Sequence, residues 1–116
     1  MPVKAAHRGA ITAPVDEMAR DLQELLSLRV IASTTGVQSP KAVSRWLTGA
    51  TPHPETLNKL RSLYRTVLIL RDAYGPETIR AWLSGANPDL GDMTPLAALR
   101  AGRDVDVFHA AESFVE

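Results

Sequence analysis

Three histidines and no cysteine are all that the chain offers for metal or nucleophile chemistry. His7 lies near the start and His53 sits between two prolines. Only His109 has a carboxylate at helical spacing, Glu112 three residues on. Two ligands at i and i+3 leave a tetrahedral zinc site half empty, so no metal is expected. No glycine-rich phosphate cradle, no G-x-S-x-G elbow and no H-E-x-x-H pair occurs. The lack of cysteine removes disulfide and thiol chemistry and fits a reducing cytoplasm. The expectation is a protein that binds and does not catalyse, with no cofactor.

Hydrogen-bonding chemistry concentrates between residues 38 and 48. Gln38, Ser39, Lys41, Ser44, Arg45 and Thr48 alternate with Val37, Val43, Trp46 and Leu47. On a helix that begins at Ser39-Pro40, the second set faces a core and the first faces outward. Lys and Arg can donate to guanine O6 and N7, and Gln can pair with adenine. Arg29, Lys59 and Arg61 then stand as candidate phosphate contacts, which position without specifying sequence. The plainer alternative is a helical hairpin that packs and binds nothing. Base-facing charge amounts to Lys41 and Arg45, so any affinity for operator DNA leans on a homodimer.

The elements that must position these groups read as helices throughout. Val15, Met18, Ala19, Leu22, Leu25 and Leu26 recur at three- and four-residue spacing, which predicts a helix over 15–28. A short helix over 29–35 stops at Gly36, a residue suited to the left-handed conformation past a helix end. Ser39 as N-cap and Pro40 at the first helical position start the next, which ends near Gly49. Two short helices joined by a Gly-containing turn make a helix-turn-helix. A long helix is expected over 55–74. Its Ile69 breaks the polar stripe of Asn58, Arg61, Ser62, Arg65 and Asp72, so it must be covered on more than one side. A helix over 76–83, a loop over 85–93, a helix from Thr94-Pro95 to Gly102 and a last helix capped by Asp104 complete an all-α fold. The organisation expected is a flexible tail over 1–14, a helix-turn-helix region over 15–75 and a C-terminal helical half over 76–116.

Charge changes sign four residues before that boundary. Residues 1–71 hold ten Lys/Arg against five Asp/Glu, and residues 72–116 hold three against eight. A basic half suits nucleic acid, and an acidic half suits another task. No apolar run exceeds four residues, as in 67–70, which is far below the ~20 that a membrane span needs. Lys4 and Arg8 are followed by no apolar stretch of about 7–15 residues, so no signal peptide and no membrane partner are expected.

The order of elements resembles the Xre/MbcA/ParS antitoxins, partners of RES-domain toxins. Two stretches carry the likeness. One is Val43-Ser44-Arg45-Trp46-Leu47 followed by Gly49 and Pro54. The other is AWLSGANPDLGDMTPLAALRAG over 81–102, in which Trp82, Asn87, Pro88, Leu90, Gly91, Pro95, Leu99 and Gly102 fall on the family pattern. Family members often carry a glycine before the last aromatic or aliphatic residues, where this chain has Ser113 before Phe114. The resemblance implies an antitoxin that represses its own operon and covers the active site of a RES-domain toxin, blocking NAD consumption. It also implies toxin contacts at Trp82, Asn87, Pro88, Leu90, Gly91, Ser113 and Phe114. Taken by itself, Trp82 fits either packing or a ligand-stacking platform, whereas Trp46 fits packing. The apolar groups Val107, Phe108, Phe114 and Val115 are too many for a solvated tail, so they complete the chain's own core or enter a partner. The competing function is a stand-alone helix-turn-helix regulator whose C-terminal half serves dimerisation or sensing.

Overall fold

The computed structural model describes residues 13–116, so residues 1–12 of the expected tail, His7 among them, lie outside the described residues. Seven α-helices and one 3-10 turn follow, with no strand among the described residues. They are α1 Val15–Gln23, α2 Leu28–Thr35, α3 Pro40–Leu47 and α4 Pro54–Arg71. After them come α5 Pro76–Ser84, the 3-10 turn Pro88–Leu90, α6 Pro95–Arg100 and α7 Asp104–Val115. The fold is all-α.

Local chemistry explains most of the boundaries. The Ser27 side chain accepts from the Val30 amide at 3.1 Å, and this cap starts α2. The expected helix over 15–28 is therefore two elements, and Leu25 and Leu26 are buried in the turn between them. Gly36 ends α2 at φ 84°, a conformation that a Cβ would strain. Ser39 and Pro40 stand at the start of α3 as expected, although the Ser39 side chain makes no capping bond. Pro54 opens α4, which closes at Arg71 and not at Tyr74. Thr94 caps α6 through the Ala97 amide at 3.0 Å. Asp104 is not a cap but the first helical residue of α7, where its charge meets the positive helix end.

The long helix α4 is the axis of the molecule. It spans 18 residues, about 27 Å at 1.5 Å per residue. α1, α2, α5, α6 and α7 all pack on it, α7 most extensively. That double cover is why Ile69 is fully buried beside Leu60, Leu63, Val67 and Leu70. Each such leucine stabilises the fold by roughly 1.5–3 kcal/mol relative to an exposed one. Buried apolar residues form one cluster that runs from Ala13 through Trp46 to Ala111. The regions 15–75 and 76–116 thus share a core instead of owning one each, with α6 against α2 and α7 along α4.

Polar ties fix α1 to α4. Tyr64 Oη and Arg71 Nη1 both donate to Asp21 Oδ2 at 2.9 Å. Burial raises the Asp21 pKa, but the hydrogen bonds from Arg71 and Tyr64 and the Arg71 charge outweigh it. The net shift is below the usual 3.8. Burial, then the bond to Asp21 and the nearby carboxylates push the Tyr64 phenol up to about 12. Arg61 Nη1 donates to the Ala13 carbonyl at 2.8 Å, and Ala13 is buried. Ala13 and Pro14 therefore belong to the folded unit and not to a tail, since the chain is pinned before α1 begins.

Candidate functional site

Two faces of the molecule gather the residues singled out above. On α3, Val43 is fully buried and Trp46 is 4% exposed, so both face the core as their spacing requires. Lys41, Ser44, Arg45 and Thr48 are exposed on the other side, with Gln38 exposed just before the helix and Ser39 half-buried. Thr48 Oγ1 donates to the Arg45 carbonyl at 3.1 Å and closes the last turn. Arg45 borders a hollow of about 220 Å³ shared with Trp46, Pro52, His53 and Thr56. The exposed groups are hydrogen-bond donors and acceptors of the kind that can meet base edges and anions.

The three candidate phosphate contacts part company. Arg29 is exposed on α2. Lys59 is half-buried, and its Nζ would lie 3.9 Å from a Cβ built on Gly36, so the ammonium reaches the turn between α2 and α3. Arg61 does not join them. Its guanidinium donates to the Ala13 carbonyl and lies 3.7 Å from Met18 Sδ, so it clamps the start of α1. Sequence spacing alone placed it on a polar stripe, and the clamp came from a residue 48 positions away.

The second face is a groove of about 460 Å³ between α5, the 3-10 turn and α7. Trp82, Asn87, Pro88, Ser113 and Phe114, five of the seven residues implied by the family resemblance, line it together. Trp82 and Phe114 stack with ring centroids 5.9 Å apart. Phe114 is 38% exposed, one of two large apolar side chains open to solvent among the described residues; Val105 is the other. The Asn87 side chain accepts from the Asp89 amide at 2.9 Å, and its carbonyl accepts from the Leu90 and Asp92 amides. Asn87 therefore shapes the loop at least as much as it faces the groove. Leu90 is 0% exposed and packs in the core, so its side chain anchors the loop and does not face the groove. Gly91 stands outside the groove, ending the 3-10 turn at φ 65°.

Tyr74 does not line the groove but supports Phe114 from behind, a contact that the spacing of side chains did not reveal. Its ring lies 4.6 Å from that of Phe114, and its hydroxyl donates to the Phe114 carbonyl at 2.9 Å. It stands just beyond α4, on the far side of the expected boundary at 75/76, so one wall of the groove is braced by the other region. Asp89, Ala81, Gly85 and Ala110 also line the groove and were not singled out. The small residues among them gave a faint signal, since they leave room between two helices.

No group of three or more His, Cys, Asp or Glu side chains among the described residues could hold a metal ion. His109 is exposed and Glu112 half-buried on α7. No helix of the described residues is long and apolar enough to cross a membrane. No protein-family model, no curated protein and no solved structure matches this chain.

Proposed function

We propose that the chain is the antitoxin of a two-component system, binding and blocking a RES-domain, NAD-consuming toxin and repressing its own operon. One observation carries the reading. Residues scattered over 82–114 and named by resemblance alone line a single groove, where exposed Phe114 stacks on half-buried Trp82. An accessible aromatic in a concave, partly apolar setting is a usual anchor of a protein interface. The α2–α3 pair is read as the helix-turn-helix, with Gln38, Ser39, Lys41, Ser44, Arg45 and Thr48 toward the major groove of operator DNA. Arg29 and Lys59 take phosphates. A homodimer presents two such helices to a two-fold operator, in the cytoplasm where both partners reside.

Co-expression with an adjacent reading frame for a RES-domain toxin tests this directly. Growth should be protected by the parent chain and lost with Phe114→Ala, while a purified Phe114→Ala variant keeps its helical signal. Protection undiminished by changes at both Trp82 and Phe114 rules out the groove as the inhibitory surface. The stand-alone regulator draws on a different observation. Val107, Phe108, Ala110 and Ala111 of α7 are buried against this chain's own core, so much of the C-terminal half stabilises the chain without any partner. That reading predicts operator binding with no effect on any neighbouring toxin.

A further inference from the structure

The groove that the functional reading assigns to a protein partner has a sign as well as a shape. Asp89 is the only charged residue that lines it, and no basic residue does. None of the ion pairs among the described residues uses the Asp89 carboxylate. The C-terminal end of α5 opens into the same space. Gly85 leaves that helix in extended conformation, and no backbone amide among the described residues caps the carbonyls of Ala81, Trp82 or Leu83. A Cβ on Gly85 would lie 3.1 Å from the Ala81 oxygen, so the glycine keeps that carbonyl uncovered. A helix C-terminus carries partial negative charge and favours a cation in its last turn. Two separate sources of negative potential therefore meet beside two aromatic faces.

We propose that this groove seats an arginine side chain of the partner protein. Its guanidinium lies between Asp89 and the open carbonyls of α5, and its stem runs along Trp82 and Phe114. The proposal rests on the groove being the partner's docking surface. An anionic occupant is opposed by both sources of charge. A wholly apolar one strips water from a carboxylate and a carbonyl without replacing their hydrogen bonds. Lysine offers a point charge, whereas the planar guanidinium donates in several directions at once and stacks on an aromatic face. The chain makes the same arrangement internally: Arg103 donates to the Asp106 carboxylate at 3.1 Å and to the Leu90 carbonyl at 3.2 Å. Arg65 likewise lies 4.0 Å over the ring of Phe108.

The test uses the full chain, isotope-labelled, titrated with Nα-acetyl-arginine methylamide and separately with Nα-acetyl-norleucine methylamide. The arginine probe should shift the Trp82 indole N–H and the amides of Gly85 and Asp89 in a saturable way. The norleucine probe should bind about tenfold more weakly, as should the arginine probe to Asp89→Asn. Because Asp89 is exposed, that variant should melt like the parent. Equal binding of the two probes, an indifferent Asp89→Asn, or shifts confined to other surfaces would overturn the proposal. A parallel measurement with a co-purified toxin separates this inference from the docking reading. If Trp82→Ala abolishes the complex and Asp89→Asn leaves it untouched, docking stands and the arginine falls. If neither change matters, both fall together.

Discussion

The outer face of α3 and the groove between α5 and α7 are made by opposite routes. α3 and its two flanking ends present six polar residues from eleven consecutive positions, and one helix with a buried side is enough to turn most of them to solvent. The groove draws its walls from residues more than thirty positions apart and is braced by Tyr74 from beyond the end of α4. The face on α3 thus depends on individual side chains standing in water. The groove depends on packing that holds three elements at a fixed spacing. The first face should tolerate changes in the core that the second does not, and the second should tolerate changes of surface charge far from Asp89.

The largest effect separates the two least. Deleting residues 104–116 removes Val107, Phe108, Ala110 and Ala111 from the shared core. With the facing side of α4 stripped of cover, the lost burial is comparable to the net stability of a typical domain, about 5–15 kcal/mol. Circular dichroism should show loss of the cooperative melt, and a folded truncation would mean that the two regions do not share one core. Trp46→Ala acts from the other side. Truncating a packed Trp costs about 3–5 kcal/mol, so the melting temperature should fall by more than about 10 °C. An unchanged melt would place Trp46 outside the core.

Phe114→Ala and Arg45→Ala set the two faces against each other. The first should weaken toxin binding by about 2 kcal/mol or more, as anchors of interfaces do, while operator binding in a gel shift stays near that of the parent. Arg45→Ala should do the converse, weakening operator binding by roughly 1–3 kcal/mol at fixed salt and sparing the toxin complex. If either variant damages both activities equally, the division of labour between the faces is broken.

The smallest expected effect lies at the junction of α1 and α4. Asp21 is held below its usual pKa, so the folded state binds its proton less readily than the unfolded chain. Its contribution is present above the unfolded pKa near 4 and disappears as pH falls through the lower folded value. The pair is partly exposed, with side chains 35% and 27% accessible, so the contribution should be about 1 kcal/mol or less. Melting curves of Asp21→Asn and the parent should differ at pH 7 and converge toward pH 3. Curves that stay parallel across that range would remove Asp21 from the acid response.

Legibility followed distance along the chain. Gly36, Pro40, Pro76 and Thr94 are legible as helix ends because caps and prolines act within one turn. The Arg61 clamp was not legible because the carbonyl it meets belongs to Ala13, and the burial of Leu90 was not because a loop residue gives no sign of which side of the loop the core lies on. The boundary at 75/76 followed the helix break at Gly75-Pro76, and a local break does not report which helices share a core.

The sequence by itself determined that this chain is helical, where most helices begin and end, and which side of α3 is wet. Those outcomes follow from the 3.6-residue period and from capping, which are local and nearly independent of the rest of the fold. Only the tertiary structure decided that α7 lies along α4, that Leu90 is sealed inside, and that Tyr74, Trp82 and Phe114 meet. The burial of many apolar side chains around α4 selected that arrangement. A buried area is a property of surfaces brought together, and no window of consecutive residues contains it.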